Sequence, residues 1–397
     1  MRAYRELFAH PDARWPLFTS TISRLTPGMI ALAIVLMLRG NGYSYAAAGL
    51  VTSAHQVGVG VGAPVQGRLA DRLGQTRVLV PDAVLYAAGT VALALLAARG
   101  AAVALLVVVT AVSGLFLPPV SACSRVLLSR LFPSGRQRET AFAVSSIAVE
   151  LGFVLGPLAA AAITARASGS VAVVAAGAIA MVGALGYAAS PAARVVPPRV
   201  HAAGRGGALR SPGVRVMVLA FGCMAIVFGV IDIVVPAVAE LAGAPGAAGG
   251  LLAAIAGGSL LGGLVYGARP WPGTLDQRLR VLVVVLALGL ALLPQALGSL
   301  PVFAVALFLG GLFLAPTTIC AFQLIDDLAL AGTQTEAQSW THSAVVFGVA
   351  AGAAVSGGAV EVQGPGLALF AGAGGVALGA LVIHLGVRRL RPAVPVA

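Results

Sequence analysis

Apolar residues in this chain do not alternate with polar ones. They fall in long runs, at about 15–38, 44–66, 77–98, 101–127, 140–165 and 170–189, then at about 214–239, 246–267, 280–298, 301–325, 337–359 and 366–387. A helix rises ~1.5 Å per residue and a bilayer core is ~30 Å thick, so each run is about one membrane crossing long. The interruptions are short except for residues 190–212, which carry Pro197-Pro198, Gly204, Gly206-Gly207 and no acid. The pattern predicts an all-α membrane protein with twelve transmembrane helices in two six-helix bundles, 1–189 and 213–397, joined by a flexible basic linker over 190–212. The first run, from Trp15, leads into a full-length span and then further spans, so no cleavable leader is expected.

Composition sharpens this. The 397 residues are 59% hydrophobic and 10% charged, with a mean hydropathy of +0.98. Soluble domains carry about 25% charged residues, so little of the chain is left for a soluble domain. All 25 basic residues are arginine. Without lysine, a Walker A phosphate loop and Schiff-base chemistry are both excluded. The three cysteines, Cys123, Cys223 and Cys320, lie far apart in apolar runs and read as packing residues. No metal-ligand spacing and no cofactor motif is present, and no constellation suggests an enzyme.

The arginines also set orientation. Twenty lie in the termini, the central linker and alternate loops, whereas Arg39, Arg99 and Arg166 are alone on the other side and Arg24 and Arg125 lie inside spans. By the positive-inside rule both termini and the linker are cytoplasmic, as in a multi-pass protein of a bacterial cell membrane. The net charge of +12 is then a property of the cytoplasmic face. It does not indicate a nucleic-acid partner. The basic linker could also meet anionic lipid, but topology already explains its charge.

The halves repeat. Gly114-Leu-Phe-Leu-Pro-Pro119-Val-Ser-Ala-Cys123 aligns with Gly311-Leu-Phe-Leu-Ala-Pro316-Thr-Thr-Ile-Cys320, in the fourth and tenth spans. Gly58, Gly62 and Gly67 similarly meet Gly258, Gly262 and Gly267, a weaker signal in a chain with 51 glycines. Two homologous bundles around a central cavity are a transporter architecture.

After the second span stands Gly67-Arg-Leu69-Ala70-Asp71-Arg72-Leu-Gly74-Gln-Thr-Arg77. This resembles the loop signature of the major facilitator superfamily, G-x-L-A-D-R-x-G-R-[RK], with Gln75 and Thr76 in place of the basic pair. The resemblance covers the whole chain and implies a monomeric transporter. Its cytoplasmic gate would be Gly67, Asp71, Arg72, Gly74 and Arg77, with Asp71 facing the eleventh span near Glu336. Gly67 and Gly74 would allow tight turning and close helix approach. In the second half the acid is missing after Gly267, so the latch is expected to be one-sided. The fifth span carries Glu150-Leu-Gly152-Phe-Val-Leu-Gly156-Pro157-Leu-Ala159-Ala160. Gly152 and Gly156 form a small-residue face and Pro157 removes a backbone bond. The stretch is similar to the antiporter motif of proton-coupled exporters in the same superfamily, with alanines at its last two glycine positions.

Arg24, Arg125, Glu150 and Asp232 lie well inside spans, where charge is costly and by default marks a pathway or a pair. An intramembrane carboxylate without a fixed partner can take up and release protons as access alternates. Glu150 is the first candidate for that carrier and Asp232 the second; a static Arg24–Glu150 pair is the rival reading. Asp82, near the end of the third span, reads as structural. His55 and His342 read as hydrogen-bonded packing residues, and Phe116, Phe153, Phe228, Phe322 and Trp340 could line an apolar cavity. Together these features imply a membrane-embedded secondary transporter taking small molecules and protons, with export of amphipathic, drug-like compounds expected. A proton symporter importing a sugar, amino acid or organic acid, or a sensor without flux, remains open.

Overall fold

The computed structural model describes residues 10–132, 135–194, 207–268, 271–330 and 333–390, and among them regular structure is helical throughout. In chain order the helices are α1 (Pro11–Ser23), α2 (Leu25–Gly40), α3 (Tyr45–Leu73), α4 (Gln75–Ala98), α5 (Val103–Leu115), α6 (Val120–Leu131), α7 (Gly135–Arg166) and α8 (Gly169–Ala189). Then follow α9 (Pro212–Leu241), α10 (Ala248–Ala268), α11 (Leu275–Ala291), α12 (Leu300–Gly311), α13 (Leu314–Leu328), α14 (Gln334–Gln363) and α15 (Pro365–Leu385), with short helical turns between some of them. Among the described residues, 11 segments are long and apolar enough to cross a membrane. The exception among the twelve expected spans is the second, α3. It is a continuous helix of 29 residues, but Thr52, Ser53, His55, Gln56 and Gln66 lower its hydropathy.

The chain divides into two compact units: Met1–Tyr43 with Val57–Ala202, and Ser44–Gln56 with Ala203–Ala397. The opening turns of α3 therefore pack with the second unit. In the first unit, α2 lies against α7 and α8, and α4 against α8. In the second, α9 is the central helix, packed on α14 and α15, while α10 lies on α12 and α11 on α15.

Three spans read as continuous in sequence are broken. The first divides at Arg24, between α1 and α2, because Pro27 has no N–H to offer the Ser23 carbonyl. The fourth and tenth break within the repeated decapeptide. Pro118 and Pro119 stand between α5 and α6, and the shorter interruption at Leu312–Phe313 separates α12 from α13. The junction between the third and fourth spans is a turn at Gly100, where φ is +67°, a conformation that favours glycine.

The repeated glycines prove to be structural. A methyl group at Gly58 would strike the Ala111 carbonyl, and one at Gly62 the Leu115 carbonyl. In the second unit Gly258 stands in the same way against Phe308, and Gly262 against Leu312. The internal repeat thus reproduces the same helix–helix contact twice, between the second and fourth spans and between the eighth and tenth. Gly67 differs: it lies within α3 with open space beside it, so the expected close approach is not made there. Gly74 is the turn residue, with φ +93°.

Gly152 and Gly156 form a close backbone contact between the fifth and first spans. Gly152 abuts the Arg24 carbonyl, while Gly28 abuts the Gly152 carbonyl and Gly156 lies against Gly28, Met29 and Leu25. Small-residue faces of this kind let backbones touch where lipid supplies no hydrophobic drive between helices. Gly152→Ala forces a methyl group into backbone and should destabilise the protein by about 1–3 kcal/mol. The apparent Tm of the purified protein should fall by several degrees. Gly374→Ala, in α15 with nothing within 4 Å, should leave Tm unchanged or slightly raised.

Candidate functional site

One cluster of buried polar groups in the first unit lies at the break in the first span. Arg24 is only 4% exposed. Its Nε donates to Ser121 Oγ at 3.3 Å, Nη1 to the Ser145 carbonyl at 2.6 Å and Nη2 to Ser145 Oγ at 2.8 Å. Beside it Ser124 Oγ donates to Ser20 Oγ at 3.4 Å. Four segments supply this cluster: α1 brings Ser20, the break Arg24, α6 Ser121 and Ser124, and α7 Ser145. Arg125 is exposed on α6, one turn after Ser121, the residue that accepts from Arg24 Nε.

Of the intramembrane charges singled out in the sequence, the structure thus brings Arg24 and Arg125 together. The expected acid for Arg24, Glu150, has its side chain outside the described residues, as does Asp71 of the gate sequence. The described partners of Arg24 are serines. Pro157 lies inside α7, which continues past it to Arg166. Arg72 and Arg77 are exposed at the two sides of the Gly74 turn.

In the second unit Asp232 is partly buried in α9. No hydrogen bond or ion pair reaches its carboxylate among the described residues. Asp82, read from sequence as structural, is buried at 3% exposure in α4, and its Oδ2 has no hydrogen-bond partner among the described residues. His55 is buried at 4% exposure. Phe322 packs on Phe221 with ring centroids 5.7 Å apart, whereas Phe153, Phe228 and Trp340 are 48%, 39% and 45% exposed. No group of three or more metal-ligating side chains occurs among the described residues.

Two further features were not anticipated. The loop before α11, where the second half lacks the gate acid, ties to itself. Trp271 stacks on Tyr266 at 5.4 Å, Arg278 Nε donates to the Pro272 carbonyl at 3.1 Å, and Arg280 pairs with Asp276 at 3.2 Å. At the start of α3, Tyr45 donates its hydroxyl proton to Glu240 at 2.7 Å, and the Ala46 N–H donates to Glu361 at 3.0 Å. The second contact satisfies one of the free N–H groups that open a helix. Residue spacing carries no signal for it, since Ala46 and Glu361 are 315 positions apart. The serines around Arg24 did carry one: each polar residue of the AVSSI and VSACSR stretches interrupts an apolar span.

These observations describe a polytopic helical membrane protein built of two repeats, with polar residues at breaks in its spans and a few charged ones inside them. A sequence profile described as Major Facilitator Superfamily matches residues 17–293, and the chain belongs to that family. Solved structures agree in fold. The nucleoside transporter NupG superposes with a TM-score of 0.71 at 14% identity, covering 94% of this chain and 98% of that one. The POT family transporter PepTSo gives 0.70 at 14%, covering 95% and 97%. The human organic anion transporter MFSD10 (TETRAN) gives 0.64 at 17%, covering 94% and 99%. No curated relative matches the sequence. The chain is a multi-pass membrane transporter of the major facilitator type.

The Ser145 hydroxyl should matter to stability because it is one of few acceptors that hold Arg24. Ser145→Ala leaves the carbonyl bond but removes the 2.8 Å hydroxyl contact, at a cost of about 1.5–3 kcal/mol for a hydrogen bond to a charged group. A lower apparent Tm in detergent, with helical content unchanged by circular dichroism, checks this.

Proposed function

We propose that this transporter is proton-coupled and exports small amphipathic, drug-like molecules by alternating access. The observation that carries the coupling is Asp232, a partly buried carboxylate in the seventh span that no described donor or cation holds. A carboxylate without a fixed partner can change its proton occupancy when its surroundings change, which is what coupling requires. Glu150, on α7 two residues before Gly152, is the companion candidate from sequence. Asp71 and Arg72 would act at the cytoplasmic gate, with Gly74 setting the turn between them and Arg77. The direction of transport rests on the Gly152, Gly156 and Pro157 stretch, which resembles that of exporters and packs against the first span.

Import is the second reading. It is supported by similarity in fold to a nucleoside transporter and to a POT family transporter, although at these identities the likeness concerns architecture.

Reconstitution separates the two. Proteoliposomes with an acidic lumen should accumulate an amphipathic fluorescent compound from the medium as the lumen alkalinises. A protonophore should abolish this, and Asp232→Asn should slow it at least tenfold while leaving the protein folded. Compound and protons entering together would replace export by symport, and undiminished flux in Asp232→Asn would remove this residue from the coupling.

A further inference from the structure

We propose that the Arg24–Arg125 cluster of the first unit is a recognition site for an anionic group, so that the transported amphipathic molecule carries a carboxylate or phosphate head. This deepens the transport reading and rests on it. Two guanidinium groups meet on α6: Arg24 Nε donates to Ser121 Oγ at 3.3 Å, and Arg125 stands one turn further along the same helix. Arg24 is buried and hydrogen-bonded to Ser121 and Ser145, all neutral acceptors. Arg125, one turn from Ser121, is exposed. No acid bonds either guanidinium among the described residues.

A buried or half-buried cation away from water is costly unless an opposite charge or good hydrogen bonds offset it. The serines give Arg24 hydrogen bonds but no countercharge. Placing a second arginine beside it raises the cost further, and simple packing gains nothing from the arrangement. An incoming oxyanion brings a countercharge to the pair and accepts hydrogen bonds from the exposed Arg125. Planar, fork-shaped donors suit carboxylate and phosphate alike. The buried Arg24 fixes the field of the site, and the exposed Arg125 is the group that meets the ligand.

Thermal-shift titrations of the full-length protein in nanodiscs of zwitterionic phosphatidylcholine provide the test, with benzoate, phenyl phosphate and the neutral isostere benzamide as probes. Benzoate or phenyl phosphate should raise Tm in a saturable way and benzamide should not; the stronger of the two identifies the head group. Arg125→Gln, which alters an exposed side chain, should weaken the anion response at least tenfold without lowering the ligand-free Tm. Equal shifts from benzoate and benzamide, or an unchanged response in Arg125→Gln, would overturn the proposal. A response seen only in Glu150→Gln would also overturn it, because the protein would then supply its own countercharge. Loss of the response in nanodiscs containing phosphatidylglycerol would assign the site to a lipid headgroup and overturn it as a substrate site. Anion binding without any flux in proteoliposomes would instead remove the transport reading and leave the site standing.

Discussion

The approach of the fifth span to the first, backbone against backbone at Gly152, is the contact on which the first unit depends. In lipid, helices gain nothing from burying apolar side chains against one another, so close packing and hydrogen bonds must hold them. Gly152, Gly156 and Gly28 remove every side chain from the contact, and the Arg24 carbonyl rests on Gly152. That approach also brings Ser145 within hydrogen-bonding distance of the Arg24 guanidinium. A residue larger than glycine would separate the helices and take the serine away from the arginine. Packing and charge placement are thus one feature.

The same device recurs throughout the molecule. Glycines of the second and eighth spans lie on carbonyls of the fourth and tenth at matching positions of the repeat. In the second unit α9 touches α14 through Gly222, Gly229, Gly348 and Gly352. Polar residues cluster where helices are interrupted. Arg24 stands at the break that Pro27 imposes, and Ser121 and Ser124 follow the break at Pro118-Pro119. A broken helix exposes backbone groups and turns side chains inward, which suits a site that must handle polar cargo inside lipid.

Much of this was legible in the sequence. Apolar runs of about 20 residues leave the helix as the solution for the backbone. The Gly67–Arg77 loop and the internal repeat point to the superfamily, which the sequence profile then shows. Two of the three glycine pairs at offset 200, Gly58/Gly258 and Gly62/Gly262, carried more than their composition suggested, because each proves to be a backbone contact. What was not legible depends on rotation about helix axes and on pairing between distant segments. A one-residue change of face decides whether Arg24 meets Ser145 or another group. The breaks at Arg24 and Leu312–Phe313 needed local geometry, since an apolar run through a weak proline signal reads as one helix. The Ala46–Glu361 contact joins segments at opposite ends of the chain, and nothing local encodes it.

Solid-state NMR of the full-length protein in lipid bilayers, labelled with carbonyl-13C arginine and Cα-13C glycine, tests the central contact most directly. The account predicts a through-space cross-peak between the Arg24 carbonyl and the Gly152 Cα, identified by its loss in Gly152→Ala. Its absence from the wild-type spectrum would contradict the claim that the fifth span reaches the first by backbone contact and so positions Arg24.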